Sequence, residues 1–136
     1  GSLSDLGSGA GFPGLILALF NSNKNFHVKL YEKSPVKRAF LMNISKKLSI
    51  NVEILGNVYK NTLDTDYIVS RAFKKLEAII QVSREIAKNS HKLIVLKGQN
   101  AQEELKKAFI KEKYDYKIEK SITNKESKII IVDFKK

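Results

Sequence analysis

Two spacings of apolar residues alternate along this chain, one typical of buried strands and the other of helices. Short apolar runs predict strands at residues 3–6, 26–31, 52–55, 67–70, 93–96, 114–122 and 128–134. Between them, apolar residues return at helical spacing and predict helices at residues 13–20, 35–48, 76–87 and 101–111. This order predicts an α/β fold of the doubly wound, Rossmann-like kind, with a mainly parallel sheet and a C-terminal antiparallel hairpin.

The second predicted helix has a defined start and a predicted buried face. Ser34 is a suitable N-cap residue, and Pro35 suits the first turn, where a missing N–H costs nothing. The apolar positions that recur at helical spacing are Val36, Ala39, Phe40, Ile44 and Leu48. We expect these side chains to face the sheet, and the cations to lie outside: Lys37, Arg38, Lys46 and Lys47.

Length and composition limit the classes of function. The chain has 136 residues, which predicts one domain over residues 1–136, and no linker or internal repeat divides it. It contains no cysteine, which excludes disulfides, a thiolate nucleophile and a cysteine zinc site. No apolar run approaches the roughly 20 residues of a membrane-spanning helix, so we expect a cytoplasmic protein without membrane contact.

The chain is strongly basic. Its net charge is +11, from 25 Lys and Arg against 14 Asp and Glu. A field of this sign favours polyanions, above all nucleic acid. A coding bias toward lysine, asparagine and isoleucine would give the same charge, so charge alone leaves both explanations open.

A glycine-rich loop near the N-terminus is the strongest chemical signal. The sequence of residues 5–14 is DLGSGAGFPG, which runs from the first predicted strand into the first predicted helix. Such a loop lets a ligand lie against bare backbone where a helix begins. Residues 9–14 match the dinucleotide pattern G-x-G-x-x-G, whereas Asp5 with Gly7, Gly9 and Gly11 fits the first motif of S-adenosylmethionine-dependent methyltransferases.

Two further observations bear on the choice between these cofactors. Phe12 and Pro13 sit awkwardly in a dinucleotide loop, and the chain has no room for a separate substrate domain, so we favour S-adenosylmethionine. Glu32 ends the second predicted strand, where a carboxylate can accept hydrogen bonds from both ribose hydroxyls of either cofactor. The alternative for Glu32 is a surface acid that precedes a helix.

Four sequence pieces together resemble a known family, the bacterial small-subunit (16S) rRNA guanine-N7 methyltransferases, also called glucose-inhibited division protein B. They are the glycine loop, then Lys37-Arg38 with Phe40-Leu41, then residues 69–73 (VSRAF), and last residues 96–99 (LKGQ) with residues 103–105 (EEL) after them. These pieces follow the family's order and cover essentially the whole chain. The VSRAF and LKGQ pieces together are much more specific than the glycine loop.

The resemblance implies a class I methyltransferase fold and a set of cofactor contacts. In the family, the cofactor is contacted at the positions of Gly7, Phe12 and Arg71, and at two residues after strand three, here Val58 and Tyr59. The family usually has an acid at the position of Tyr59. The family also carries a helical segment ahead of the first strand that would cover part of the cofactor and help to hold RNA, and we expect this segment to be absent here.

The chemistry implied by the resemblance needs no general base. Guanine N7 is an unprotonated lone pair, so methyl transfer needs only positioning and exclusion of water. Arg71 and Lys97 follow neighbouring predicted strands, and we expect both to face the ligand crevice as substrate contacts, Arg71 also as a cofactor contact. We expect His27 in strand two, and His91 in a turn before strand five, to be structural or solvated.

Other positions keep two readings open. Phe73 either stacks on the base or packs in the core. Lysine-rich edges can hold the RNA backbone or be ordinary solvated charges: Lys33, Lys37, Arg38, Lys46, Lys47, Lys106, Lys107, Lys111 and Lys113.

Taken together with the residues above, the resemblance implies a monomeric methyltransferase that uses S-adenosylmethionine and no metal to methylate guanine N7 in small-subunit ribosomal RNA, naked or within a ribosomal subunit. The alternatives are a cofactor- or RNA-binding remnant without turnover, and a methyltransferase of the same fold with another substrate.

Overall fold

The computed structural model describes residues 1–7, 12–56, 63–71, 75–98, 101–108, 114–120 and 127–135. Within these ranges lie seven strands: β1 (Ser2–Leu6), β2 (His27–Tyr31), β3 (Glu53–Leu55), β4 (Tyr67–Arg71), β5 (His91–Lys97), β6 (Asp115–Lys120) and β7 (Lys128–Phe134). The same described residues contain four helices: α1 (Gly14–Phe20), α2 (Pro35–Lys47), α3 (Leu76–Ile86) and α4 (Ala101–Ala108). The predicted parts of the fourth helix and sixth strand at residues 109–111 and 121–122 lie outside the described residues.

All seven strands form one sheet in the order β3-β2-β1-β4-β5-β7-β6. The pairs from β3 to β5 are parallel, and β7 pairs antiparallel with both β5 and β6. The C-terminal hairpin thus places β7, its second strand, beside β5, and β6, its first strand, at the edge of the sheet. This arrangement confirms the predicted mainly parallel α/β sheet with a C-terminal antiparallel hairpin.

Helices cover the sheet with two hydrophobic clusters. In one cluster, Leu15 and Ala18 of α1 and Leu41 of α2 pack with side chains of β1, β2 and β4. The other contains the buried side chains of α3 and those of β5 and β7, with Leu105 of α4. Because helices lie over the sheet, consecutive residues of its central strands are buried, Leu3–Leu6 in β1 and Ile68–Ser70 in β4.

The predicted buried face of α2 is wrong. Val36 is 80% exposed and Phe40 48% exposed, and Ala39 and Leu48 are exposed as well. The side chains of α2 that are buried are Leu41 and Ser45, while Ile44 is half-buried. Because the apolar residues of α2 are spread around the helix, the spacing did not determine which side meets the sheet, and the packing against β2 and β3 did.

His91 is the first residue of β5, so the prediction that it lies in a turn before this strand is wrong. It pairs with Phe134 of β7, which extends β5 beyond its apolar run. Its ring is buried, with Nε2 in hydrogen-bond contact with Ser83 Oγ and Nδ1 with the Asn89 carbonyl oxygen. These contacts give His91 the structural role that the sequence predicted, whereas His27 is exposed at the start of β2.

The start of α2 is as predicted, and the start of α1 differs slightly. The Lys37 backbone N–H donates to Ser34 Oγ over 3.3 Å, which makes Ser34 the N-cap, and Pro35 is the first residue of α2. Pro13 is the N-cap of α1 rather than a residue within its first turn. Its carbonyl oxygen accepts the Leu17 N–H over 3.0 Å, so it still begins the helix.

Candidate functional site

Four of the predicted site residues lie at one edge of the sheet. Gly7 directly follows β1, Glu32 directly follows β2, Arg71 ends β4 and Lys97 ends β5. These four strands are adjacent and parallel in the order β2-β1-β4-β5, so their carboxyl ends meet at this edge. The chain leaves β1 toward β2 on one side and places β4 on the other, which is the switch point where open α/β sheets bind ligands.

Gly7 turns the chain away from the sheet at this switch point. Its φ of 70° lies in the left-handed region, which glycine adopts without steric cost. Its N–H donates to the Tyr31 carbonyl oxygen over 2.9 Å, which continues the pairing of β1 with β2 by one residue. Gly7 is exposed, so it presents bare backbone where a ligand would lie.

Asp5 and Gly14 fix α1 against the sheet. The Gly14 N–H donates to Asp5 Oδ2 over 2.8 Å, and the Asp5 side chain is fully buried. A Cβ on Gly14 would lie 2.4 Å from Leu30 Cδ2 and 2.7 Å from Asp5 Cβ. Asp5 therefore takes up an N–H of the first turn of α1, and Gly14 permits the close approach of helix and strand.

Glu32 is held by the turn between β2 and α2. Its Oε1 accepts the Ser34 N–H over 3.1 Å, and only 6% of the residue is exposed. Arg38 Nη1 donates to the Glu32 carbonyl oxygen over 2.8 Å and to that of Lys33 over 2.9 Å. The sequence predicted Arg38 on the outer side of α2, with RNA or solvent as its surroundings. Its contacts with two backbone carbonyl groups were missed, because these depend on how the chain turns between β2 and α2.

Lys97 is part of a buried link between three elements. Its Nζ lies 2.7 Å from Glu104 Oε2 of α4, and Lys97 is only 9% exposed. Glu104 Oε1 also accepts the Leu76 N–H at the start of α3 over 3.2 Å. Glu104 therefore ties the ends of β5 and α3 to α4, a role that the sequence showed only as an acid in the first turn of α4.

Arg71 differs from Lys97 in exposure. Arg71 is exposed at the end of β4 and pairs in register with Leu96 of β5, one residue before Lys97. The two cations are thus brought to neighbouring positions, as predicted, with Arg71 exposed and Lys97 in an ion pair. Phe12, just before α1, is 54% exposed.

The remaining predicted site residues lie outside the described residues. They are Gly9, Gly11, Val58, Tyr59 and Phe73, together with the candidate RNA contacts Lys111 and Lys113.

Three further observations concern a pKa at this edge, metal binding and membrane-spanning helices. Burial raises the pKa of the Tyr31 hydroxyl above its ordinary value, and the nearby Glu53 carboxylate raises it further. Within the described ranges, no three His, Asp or Glu side chains lie close enough together to hold a metal ion. No helix in those ranges is both long and apolar enough to cross a membrane.

The fold resembles that of solved methyltransferases. A S-adenosylmethionine-dependent methyltransferase from Aquifex aeolicus superimposes with a TM-score of 0.72 over 97% of this chain and 80% of its own. The two sequences are 13% identical, so the likeness concerns the fold alone. It confirms the predicted Rossmann-like class I methyltransferase fold.

Sequence comparison is more specific. The protein of Pelagibacter ubique named ribosomal RNA small subunit methyltransferase G is 36% identical over 129 residues, which are 92% of this chain and 61% of that protein. The protein of the same name from Rickettsia akari is 37% identical over 131 residues, covering 96% of this chain and 66% of its own length. The chain thus spans about two thirds or less of the length of these two relatives.

A family model describes the same similarity over nearly the whole sequence. The model is that of GidB, rRNA small subunit methyltransferase G, and it matches residues 1–131. It includes all four motif pieces from which the resemblance was inferred. The chain belongs to the rRNA small subunit methyltransferase G family.

Proposed function

We propose that this protein transfers a methyl group from S-adenosylmethionine to N7 of a guanine in small-subunit ribosomal RNA. The observation that carries the proposal is the family match over residues 1–131. The names of the relatives supply the substrate class, ribosomal RNA of the small subunit.

The groups at the carboxyl edge of the sheet fit this cofactor. S-adenosylmethionine has ribose hydroxyls that donate, a carboxylate that attracts a cation, and a methionine part that needs close access to backbone. Glu32 offers a carboxylate after β2, Arg71 an exposed cation at the end of β4, and Gly7 bare backbone between them. Phe12 would add apolar surface, and Gly9, Gly11, Val58 and Tyr59 remain predicted contacts.

The reaction asks this chain for positioning rather than for proton transfer. S-adenosylmethionine supplies an electrophilic methyl group on a sulfonium, and guanine N7 attacks it with a lone pair that carries no proton. Orientation of two bound reactants can supply most of such a rate enhancement. Arg71 and Lys97 are the candidate substrate contacts, because cations can donate to guanine O6 and to phosphate. The ion pair with Glu104 would hold the ammonium of Lys97 in one place.

The proposed setting follows from the substrate. A net charge of +11 suits a polyanion such as RNA or a ribosomal subunit. We propose a monomeric cytoplasmic enzyme without metal.

Cofactor binding is tested by calorimetric titration with S-adenosylmethionine and, in parallel, with NADH. We expect the chain to bind S-adenosylmethionine and not NADH. Arg71→Ala should weaken the binding of S-adenosylmethionine about tenfold, because a charge-assisted hydrogen bond is lost. Arg84→Ala, in α3 outside the proposed site, removes the same charge and serves as the matched control. Preference for NADH would refute the methyl-donor site, and unchanged affinity in Arg71→Ala would remove Arg71 from it.

Turnover is tested with labelled methyl donor on small ribosomal subunits and on the naked RNA, followed by mapping of the modified base. We expect label on guanine N7. Cofactor binding without transfer to either substrate would favour a binding protein without turnover, and label on another atom would favour a different substrate for the same fold.

A further inference from the structure

The outer face of α2 carries an exposed aromatic side chain and cations that the core does not use. We call Lys33, Val36, Lys37, Phe40 and Lys47 the α2 outer face. Val36, Phe40 and Lys47 lie four and seven residues apart, which places them on one side of a helix with 3.6 residues per turn. The side chains of Val36 and Phe40 are 80% and 48% exposed, so solvent reaches both.

Val36 and Phe40 are not the residues through which α2 packs on the sheet. Leu41 and Ser45 already bury the inner side of α2, and Leu41 is fully buried. Val36 therefore gains little from burial, and Phe40 leaves about half of its surface in contact with solvent. Exposed apolar groups that lie together are a common sign of a binding surface.

The charge around these side chains has one sign. From residue 33 to residue 51 the chain contains five cations and no acid; the cations are Lys33, Lys37, Arg38, Lys46 and Lys47. Arg38 is occupied with backbone carbonyls. Lys33, Lys37 and Lys47 are exposed and form no ion pair with any residue that the structure describes.

Aromatic and basic side chains in this combination match single-stranded nucleic acid. Bases stack on aromatic rings without regard to sequence, while lysines hold the phosphates along the strand. The face also starts beside the proposed methyl-donor site, because Ser34, at the N-cap of α2, donates its N–H to Glu32. A membrane-bound helix would need a wide, continuous apolar stripe. On α2, the exposed apolar residues are interrupted by Asn43, Lys46 and Lys47; those apolar residues are Val36, Ala39, Phe40 and Met42.

We propose that the α2 outer face binds an unpaired stretch of RNA, with Phe40 stacked on a base and Lys33, Lys37 and Lys47 contacting phosphates. The proposal rests on the proposed function for its choice of RNA as partner. It identifies where substrate RNA outside the target guanine is held.

The stacking contact is tested by fluorescence anisotropy with a labelled, unstructured oligoribonucleotide, in the absence of cofactor. We expect Phe40→Ala to raise Kd at least about fivefold and Phe40→Trp to retain wild-type affinity, because a ring can still stack. Phe40→Leu keeps apolar bulk without a ring and should bind like Phe40→Ala. Phe20→Ala is the matched control, since Phe20 is an exposed aromatic residue of α1, and it should bind as wild type does.

The phosphate contacts are tested by the salt dependence of the same Kd. The association constant falls as salt is added, and each lost contact to a single strand makes the slope of its logarithm against log salt less steep by about 0.7. Lys37→Gln/Lys47→Gln should therefore make this slope less steep by about 1.4. Lys24→Gln/Lys117→Gln removes the same charge from exposed positions elsewhere and should change the slope much less. Equal slopes for the two double variants would overturn the proposal.

Further outcomes separate this inference from the proposed function. Phe40→Ala should bind S-adenosylmethionine as wild type does, and its KM for RNA should rise while kcat changes little. If wild type transfers methyl but Phe40→Ala keeps its RNA affinity and KM, the inference fails alone. If wild type transfers no methyl but Phe40→Ala still loses RNA affinity, the proposed function fails and the inference stands.

A membrane contact is tested with phosphatidylglycerol vesicles. If wild type binds these vesicles, and Phe40→Ala abolishes that binding but leaves the RNA affinity unchanged, the α2 outer face is a membrane contact and the inference is refuted.

Discussion

Gly14 determines how closely α1 can approach the sheet. The space a Cβ would occupy is already filled by Leu30 Cδ2, Asp5 Oδ2 and Asp5 Cβ, all within 2.7 Å. Two of these atoms belong to a fully buried carboxylate residue that is hydrogen-bonded to Gly14 itself. The glycine loop is therefore built on a packing contact at its far end.

We expect Gly14→Ala to lower the free energy of unfolding by about 1–3 kcal/mol, because overpacking must push α1 away from Leu30 or disturb Asp5. Urea denaturation measures this change as a shift of the midpoint. Gly98→Ala is the control, since a Cβ there meets nothing within 4 Å. Equal stability of the two variants would show that α1 moves without cost.

The sequence predicted which residues stand at the candidate site better than it predicted what each one contacts. Glu32 and Arg71 were placed correctly at strand ends, because strand ends can be read from apolar runs. Lys97 was also placed correctly, but its ion pair with Glu104 joins the end of β5 to α4. A contact of this kind depends on how α4 packs, which no local pattern reports.

At the scale of elements, Glu104 links α4 to β5 and to the start of α3. Its two oxygens reach Lys97 Nζ and the Leu76 N–H. Removal of the Glu104 carboxylate would leave a largely buried amide N–H and a largely buried ammonium without their acceptor. The loss of folding stability is then larger than that caused by breaking an exposed ion pair.

We expect Glu104→Ala to lower the free energy of unfolding by about 2 kcal/mol, less than a fully buried pair because 18% of the Glu104 side chain is exposed. The double variant Lys97→Met/Glu104→Leu should recover part of this loss, because no charge is then left buried alone. Urea denaturation of wild type, Lys97→Met, Glu104→Leu and the double variant closes a cycle that gives the coupling energy. Additive effects would mean that the ion pair contributes nothing to stability.

The α2 helix illustrates how far an element can be predicted. Its start was predicted from Ser34 and Pro35, which act through backbone groups of the same turn. Its buried face was predicted wrongly, because Val36 and Phe40 and the buried Leu41 lie on different sides of a helix that is apolar on more than one side. Only contact with β2 and β3 decides between those sides.

At the scale of the whole molecule, charge opposes the fold. A net charge of +11 on 136 residues makes the compact state repel itself. Salt screens such repulsion over a distance of about 10 Å at 0.1 M.

We expect sodium chloride to raise the Tm by about 3 °C between low and moderate ionic strength, as added salt weakens the repulsion. Differential scanning calorimetry measures this shift. Lys24→Glu/Lys117→Glu lowers the net charge at exposed positions and should reduce the response to salt. A Tm that falls with salt would mean that attractive ion pairs outweigh the repulsion.

The sequence by itself determined the order of the elements, the mainly parallel sheet and the family. Apolar runs, helix caps and glycine motifs act over a few residues, and a parallel sheet with right-handed crossovers allows few arrangements of such units. The tertiary structure alone decided which side of α2 is buried, that β5 begins at His91, and that Glu104 holds Lys97. Each of these depends on atoms that different elements bring together, and their fit is set by packing rather than by local spacing.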